Sequence, residues 1–340
     1  MGSSVLVTGA TGFIAKHCIA ELIRQGYRVR GTARHPDART RVVNALARAE
    51  IDASHLEICK ADLLHDDGWD AATEGCSHVL HVASPFPVKP PRNRDEVVRP
   101  AVDGTLRVLK AAARAGVQRV VLTSSMVTCI YPSGGKQGRT YTEEDWTDTD
   151  RRDISSYVFS KVLAERAAWE FVQQTPGAPE LTVLNPGLVY GPALDLDLST
   201  SHQILTLMAK GKYPVVPRAG YSVVDVRDVA AAHVSAMTHP AAAGERFLVT
   251  SDYVTLVDIA LMLAHALPDV TSRIPRREAP DILIRGLSAL DRSLLAVIPD
   301  LSVRRECNNA KARERLGIAF RPAREAIRAA AESLRELGAI

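Results

Sequence analysis

Short apolar runs alternate along this chain with stretches whose apolar residues recur every three or four positions. The runs fall at 4–7, 27–33, 56–60, 77–82, 119–123 and 181–184. The segment at 118–122 is too short and too β-branched to be a helix of its own. Helical patterns lie near 40–49, 67–72, 96–115 and 155–174. An earlier helix begins at Phe13, where Ile14, Cys18, Ile19, Leu22 and Ile23 share one face and Gly26 supplies a stop. This alternation predicts an α/β fold, a Rossmann-type doubly wound parallel sheet with right-handed crossovers and both faces covered. Beyond Gly191 the pattern changes to a loop rich in Asp and Ser, then scattered helices ending at 324–337. Residues 1–190 are therefore expected to form a dinucleotide-binding domain. Residues 191–221 and 251–340 are expected to form a smaller, mostly helical substrate domain. The stretch 222–250 is expected to return to the first domain through runs at 222–224 and 247–250.

The turn after the first run carries candidate chemistry. In Val7-Thr8-Gly9-Ala10-Thr11-Gly12-Phe13-Ile14-Ala15, Gly9 permits a tight turn and Gly12 lets backbone amides approach a pyrophosphate. Ala15 stands in for a third glycine and is small enough to let helix and strand lie close. Unpaired amides at the helix start, aided by the dipole, face the anion. Gly9, Thr11, Gly12, Phe13 and Ile14 are thus candidate cofactor contacts. A strand-to-helix turn with no ligand is the plain alternative, and the order strand, turn, helix, strand favours the cofactor. An NAD site places an acid near the end of the next strand, where it accepts from the ribose 2′-hydroxyl. Here Ala33 holds about that place and Arg34 follows, a guanidinium suited to a 2′-phosphate. Arg39 and Arg41 are near enough in sequence to add a second cation. A solvated basic loop would look similar, but the missing acid points to NADP(H).

Tyr157 and Lys161 are four apart in a helical pattern, so both project from one face. A free phenol has a pKa of about 10. An adjacent ammonium is expected to favour the phenolate and bring the group into a range useful for proton exchange. Ser125, just after a strand, can hydrogen-bond a carbonyl oxygen beside the tyrosine. Each residue also has an ordinary structural reading: a half-buried aromatic, a solvated lysine, a strand-end hydroxyl. Their order, a serine after one strand and the pair on the following helix, makes Ser125, Tyr157 and Lys161 the candidate catalytic set.

Composition narrows the classes further. A chain of 340 residues, 46% hydrophobic and 24% charged, can bury a sizeable core. A formal charge of +3 is too small to argue for nucleic acid. The five cysteines (Cys18, Cys59, Cys76, Cys129, Cys307) are scattered, with no CxxC pair and no metal spacing, as in a reducing compartment. The first strand begins almost at once, so no signal peptide is expected. The apolar stretch 282–298 is broken by Arg285, Asp291 and Arg292 and is no membrane span. The expectation is a cytoplasmic monomer or homodimer acting on a small carbonyl or alcohol, with no metal.

The chain resembles the extended short-chain dehydrogenase/reductase group, within it the dihydroflavonol reductase, cinnamoyl-CoA reductase and aldehyde reductase cluster. The resemblance rests on the glycine turn, Gly31-Thr32-Ala33-Arg34, Lys60-Ala61-Asp62-Leu63, His81-Val82-Ala83-Ser84-Pro85 and Leu122-Thr123-Ser124-Ser125. It continues through Tyr157-Val158-Phe159-Ser160-Lys161, Asn185-Pro186-Gly187-Leu188-Val189-Tyr190-Gly191-Pro192 and Val224-Asp225-Val226-Arg227-Asp228-Val229-Ala230. It implies that Arg34 and Arg41 hold the 2′-phosphate and that Asp62 and Leu63 border the adenine. It places Val82, Ala83 and Ser84 on the path to the nicotinamide ribose. Pro186, Gly187, Leu188 and Val189 would pass beside the nicotinamide, and Ser201 would add a contact. Lys161 would also grip the ribose, while Asp225 and Asp228 brace strand and helix, with Asp228 as a helix N-cap. The activity implied is carbonyl reduction, with Tyr157 giving a proton and Ser125 polarising the oxygen.

The chain departs from its relatives in two places. Flavonoid-reducing relatives carry an asparagine five residues past the catalytic serine, where this chain has Ile130. The Asn-Trp-Tyr-Cys signature of cinnamoyl-CoA reductases is absent around 158–161. An aldehyde, ketone or ketoester with an apolar body fits better, and Phe86, Met126, Ile130 and Tyr190 are candidate pocket walls. Three other readings stand beside it: a nucleotide-sugar epimerase or dehydratase, a non-enzymatic NADP(H) sensor, and a hydroxysteroid dehydrogenase. Arg34 in place of an acid counts against the first, and intact Tyr157 and Lys161 against the second. Replacing Arg34 with Asp should move the coenzyme preference towards NAD in paired NADPH and NADH titrations. Undiminished selectivity for NADP(H) would show that the phosphate is read elsewhere.

Overall fold

The computed structural model describes residues 4–35, 37–84, 93–134 and 138–340. Pro85 and Phe86, named above, lie outside the described residues. Seven parallel strands form the main sheet: Ser4–Val7, Arg28–Ala33, Glu57–Lys60, Cys76–His81, Arg119–Thr123, Glu180–Pro186 and Arg246–Val249. Numbered in chain order, they lie side by side as 3-2-1-4-5-6-7. The direction of winding reverses between the first and fourth strands, and ligands of open α/β sheets bind at the carboxyl ends beside such a reversal.

Central strands of this kind must be apolar on both faces, and Val5, Leu6 and Val7 are all fully buried. One face is covered by helices Phe13–Arg24 and Val226–Thr238, which pack on each other and on Val5, Val7, Val121 and Phe247. The other face is covered by Asp95–Arg114 and Ser156–Gln174, with Val108, Leu109, Ala112 and Ala168 against Leu6, Val120 and Val183. Phe13–Arg24 turns Cys18, Ile19 and Leu22 fully inward, with Ile14 and Ile23 half-buried against the same core, as its spacing predicted, and Gly26 follows it at φ +81°.

A second core gathers around a three-stranded sheet of Leu188–Tyr190, Gly220–Asp225 and Tyr253–Thr255. Helices Thr200–Ala209, Leu256–Ala266 and Ala323–Glu336 pack there. The last buries Ala323, Ala326, Ile327, Ala330, Ala331 and Leu334, an i, i+3, i+4 stripe. Two sequence expectations need correction. The run at 222–224 pairs in this small sheet rather than the large one, whereas Arg246–Val249 forms the large sheet's outer edge. The N-cap of Val226–Thr238 is Asp225, whose carboxylate accepts from the Arg227 amide. Asp228 lies inside the helix, pairs with Arg321 and accepts from its backbone amide at 2.6 Å.

Phe247 is fully buried at the sheet edge, in contact with the first core. Phe247→Ala should cost about 3–5 kcal/mol of stability in chemical denaturation. A loss below about 1 kcal/mol would contradict this packing.

Candidate active site

Most of the sequence-derived candidates follow the carboxyl ends of six of the large-sheet strands. The glycine turn follows Val7, Arg34 follows Ala33, and Asp62 with Leu63 follow Lys60. Val82 to Ser84 follow His81, Ser125 follows Thr123, and Gly187 to Val189 follow Pro186. A parallel sheet delivers all of these to one edge.

Gly9 has φ +67°, and a Cβ there would lie 3.0 Å from the Ala83 Cβ. The Thr8 hydroxyl locks the two strand ends together, accepting the Ala83 amide at 2.9 Å and bonding His81 Nδ1 at 2.8 Å. The Gly9 amide donates to Thr32 Oγ1 at 3.1 Å, tying in the second strand. Helix Phe13–Arg24 begins at exposed Gly12 with no side-chain cap, which leaves its first amides for an anion. Thr11, Phe13 and Ile14 are partly exposed around it. Arg34 is exposed and makes no ion pair or hydrogen bond with another of the described residues. An uncapped helix start, a glycine where a side chain would intrude, and an uncommitted cation fit a phosphorylated dinucleotide.

The neighbouring arginines differ from Arg34. Arg41 is exposed and 3.7 Å from Asp37. Arg39, unlike Arg34, is already engaged, giving its guanidinium to the carbonyls of Leu56 and Ser54 at 3.1 and 2.7 Å. The Asp62 carboxylate accepts the Leu64 amide at 3.0 Å and so stabilises its own turn. Leu63 packs half-buried against Gly104.

Ser125 caps a single 3-10 turn, Met126–Thr128, and hydrogen-bonds the Tyr157 phenol. Tyr157 and Lys161 come from Ser156–Gln174, whose N-cap Ser155 accepts the Val158 amide at 3.2 Å. The three candidate catalytic residues therefore converge at the carboxyl edge. Their electrostatics differ from expectation. Burial raises the Tyr157 phenol above its ordinary value, opposed by the Ser125 hydrogen bond, and Lys161 does not lower it. The Lys161 ammonium donates instead to the Thr123 carbonyl at 3.2 Å. Burial pulls Lys161 down to about 8, and the Glu165 carboxylate opposes that fall.

Met126, Ile130 and Tyr190 are buried in core clusters, so they pack the interior rather than wall a pocket. Ser201 is buried on the first turn of Thr200–Ala209. Its neighbour His202 lies 4.4 Å, edge-on, from the Phe13 ring. This belongs to a clamp that sequence reasoning missed. Lys16 pairs with Asp195 at 2.5 Å, and His17 and His202 reach the carbonyls of Pro192 and Gly191, each at 2.9 Å. The loop after Gly191 is thereby fastened to the helix of the glycine turn. Glu165 was missed too, although its place four residues after Lys161 was a readable signal.

An open cleft of about 850 Å³ is lined by Trp146, Arg166, Trp169, Glu245, Arg246 and Lys311, among others. It shares no residue with the strand-end cluster, and Lys311 and Arg246 are already paired with Glu245 and Glu165. Among the described residues no group of His, Cys, Asp or Glu could hold a metal ion. No helix among them is long and apolar enough to cross a membrane.

The fold and this edge define a dinucleotide-dependent enzyme of the Rossmann type. Residues 5–250 match the model of the NAD dependent epimerase/dehydratase family, and the chain belongs to that family. It is 34% identical to cinnamoyl-CoA reductase CAD2 of Medicago truncatula, over 99% of this chain and 97% of that protein. It is 32% identical to the ketoreductase azaE of Aspergillus niger, over 94% of each. Among solved structures it is similar to yeast methylglyoxal/isovaleraldehyde reductase Gre2 complexed with NADPH. The TM-score there is 0.81 and the identity 27%, over 99% of this chain and 100% of that one.

Three histidines sit near this edge in buried, neutral form. His81 is pulled down to about 3, and His17 and His233 to about 4, each chiefly by burial. As pH falls below about 6.5 the unfolded chain binds their protons first, so stability is lost towards about pH 4. The melting temperature should fall steadily over that window. A flat profile would contradict the burial.

Proposed function

We propose that this protein reduces an aldehyde, ketone or ketoester carbonyl to an alcohol, with NADPH as reductant and Tyr157 as proton donor. It is an NADP-dependent oxidoreductase of the extended short-chain dehydrogenase/reductase group. The observation that carries the finer reading is the hydrogen bond between Ser125 and Tyr157, beside Lys161, at the carboxyl edge of the sheet.

The uncapped amides after Gly12 would hold the pyrophosphate, and Arg34, with Arg41 nearby, the 2′-phosphate. Val82, Ala83 and Ser84, with Pro186 to Val189, would flank the nicotinamide end. When bound, NADPH supplies the hydride for the carbonyl carbon. Ser125 donates a hydrogen bond to the carbonyl oxygen, and Tyr157 gives the same oxygen its proton. The phenol carries its proton at neutral pH, as a donor must; burial makes its ionisation harder, and the Ser125 hydrogen bond opposes that. Lys161, held by the Thr123 carbonyl, would hold the nicotinamide ribose. The protein's share of catalysis is positioning and charge stabilisation.

An epimerase or dehydratase would use the same scaffold, but the second strand ends in Ala33-Arg34 without the acid that reads a ribose hydroxyl. The discriminating experiment follows NADPH oxidation with methylglyoxal, isovaleraldehyde, cinnamoyl-CoA and sugar nucleotides. Turnover is expected with a carbonyl, and turnover restricted to sugar nucleotides would overturn the reading. Tyr157→Phe should lower kcat by roughly 10²–10⁴ while leaving the Kd for NADPH nearly unchanged. Full activity in that variant would remove the tyrosine from the mechanism.

A further inference from the structure

Tyr157, Lys161 and Glu165 stand at i, i+4 and i+8 of helix Ser156–Gln174, one row along its face. Glu165 is only 1% exposed. Its Oε2 accepts from the Ser124 hydroxyl at 2.5 Å and the Asn185 amide at 2.9 Å. Its Oε1 accepts from Arg246 Nε at 2.5 Å. Every one of these partners is a donor, which is the environment a carboxylate needs.

The contacts continue around Ser125. The Asn185 amide also reaches the Ser125 carbonyl at 3.3 Å and Thr128 Oγ1 at 2.9 Å. The Thr128 hydroxyl donates to the Ser125 carbonyl at 3.0 Å, and Arg246 reaches Thr128 Oγ1 at 3.1 Å. Arg246 is fixed in turn by the carbonyls of Glu143 and Asp145, at 2.6 and 3.1 Å, and by the Trp146 ring 3.8 Å away. The carboxylate thus grips the residue before Ser125 directly and the turn after it through Asn185 and Arg246. A buried ion pair is an expensive way to fill space, and apolar packing would serve the fold alone as well.

The same charge acts on Lys161. Burial drives that ammonium towards neutrality, and Glu165 opposes it. The other groups facing the pair are accounted for. His81, on the strand Cys76–His81, is held neutral by burial. Cys129 is pushed up to about 12 and stays a thiol. Arg246 is spent on Glu165, and the Glu143 carboxylate accepts the Leu248 amide at 2.8 Å.

We infer that Glu165 is a positioning residue for carbonyl reduction: its buried carboxylate keeps Lys161 charged and holds the Ser125 turn in place. This rests on the reading that Tyr157 and Lys161 carry the reaction. Without the carboxylate, Lys161 loses its proton at lower pH, because a nearby negative charge favours the ammonium.

The test is Glu165→Gln, with Glu165→Asp as the variant that keeps a charge one methylene farther away. Two profiles are recorded against pH: kcat/KM for NADPH with isovaleraldehyde, and NADPH binding by fluorescence without carbonyl substrate. Glu165→Gln should move the alkaline limb of both down by about one pH unit or more. Glu165→Asp should move them in the same direction by less. If Glu165→Gln does not fold, Glu165→Asp alone decides. Alkaline limbs at the wild-type pH, whatever the loss of activity or melting temperature, would reduce Glu165 to a structural role and overturn the inference. Tyr157→Phe run in parallel separates the two readings. If it is active, the catalytic assignment fails; if it is inactive while the Glu165 limbs stay put, only this inference fails.

Discussion

The site depends on the close approach of two strand ends across the point where the sheet reverses its winding. Gly9, in the left-handed region, comes so near Ala83 that a methyl group would barely fit. The Thr8 hydroxyl fastens the approach by taking the Ala83 amide and the His81 ring together. This brings the uncapped helix start and the end of the fourth strand to one place. The fifth strand then sets Ser125 beside them, and the following helix brings Tyr157 and Lys161. A bulkier residue at Gly9 would push these pieces apart rather than alter any one of them.

Burial, more than charge pairing, governs the ionisable groups along this edge. The phenol is raised, the lysine lowered and the histidines held neutral, all with desolvation as the largest cause. Glu165 is the counterweight, a buried carboxylate that opposes the fall of the Lys161 ammonium.

Much of this architecture was legible in the amino-acid order because it is local. Strand runs, the glycine turn, the helix stop at Gly26 and the four-residue spacing of Tyr157 and Lys161 each depend on neighbours a few positions away. The parallel sheet then carried the candidates to one edge, since every strand of such a sheet ends on the same side. Features that failed to show depend on contacts between distant segments. Spacing puts Lys161 near Tyr157 but cannot reveal that its ammonium turns to the Thr123 carbonyl. Arg39 looked like a phosphate ligand until its bonds to Ser54 and Leu56 were seen. The run at 222–224 has the pattern of a buried strand in either sheet, and only the pairing with Leu188–Tyr190 decides which. The clamp from Lys16 to Asp195 joins residues 179 apart, more than half the chain, and left no local mark.

The central claim is that one edge of the sheet holds a phosphorylated dinucleotide and presents it to Tyr157. The most direct measurement is an experimental structure of the protein with NADP+ bound. The account predicts the 2′-phosphate against the Arg34 guanidinium, the pyrophosphate over the amides after Gly12, and the nicotinamide between Pro186–Val189 and the Tyr157 hydroxyl. A 2′-phosphate far from Arg34, or a nicotinamide ring out of reach of Tyr157, would contradict it.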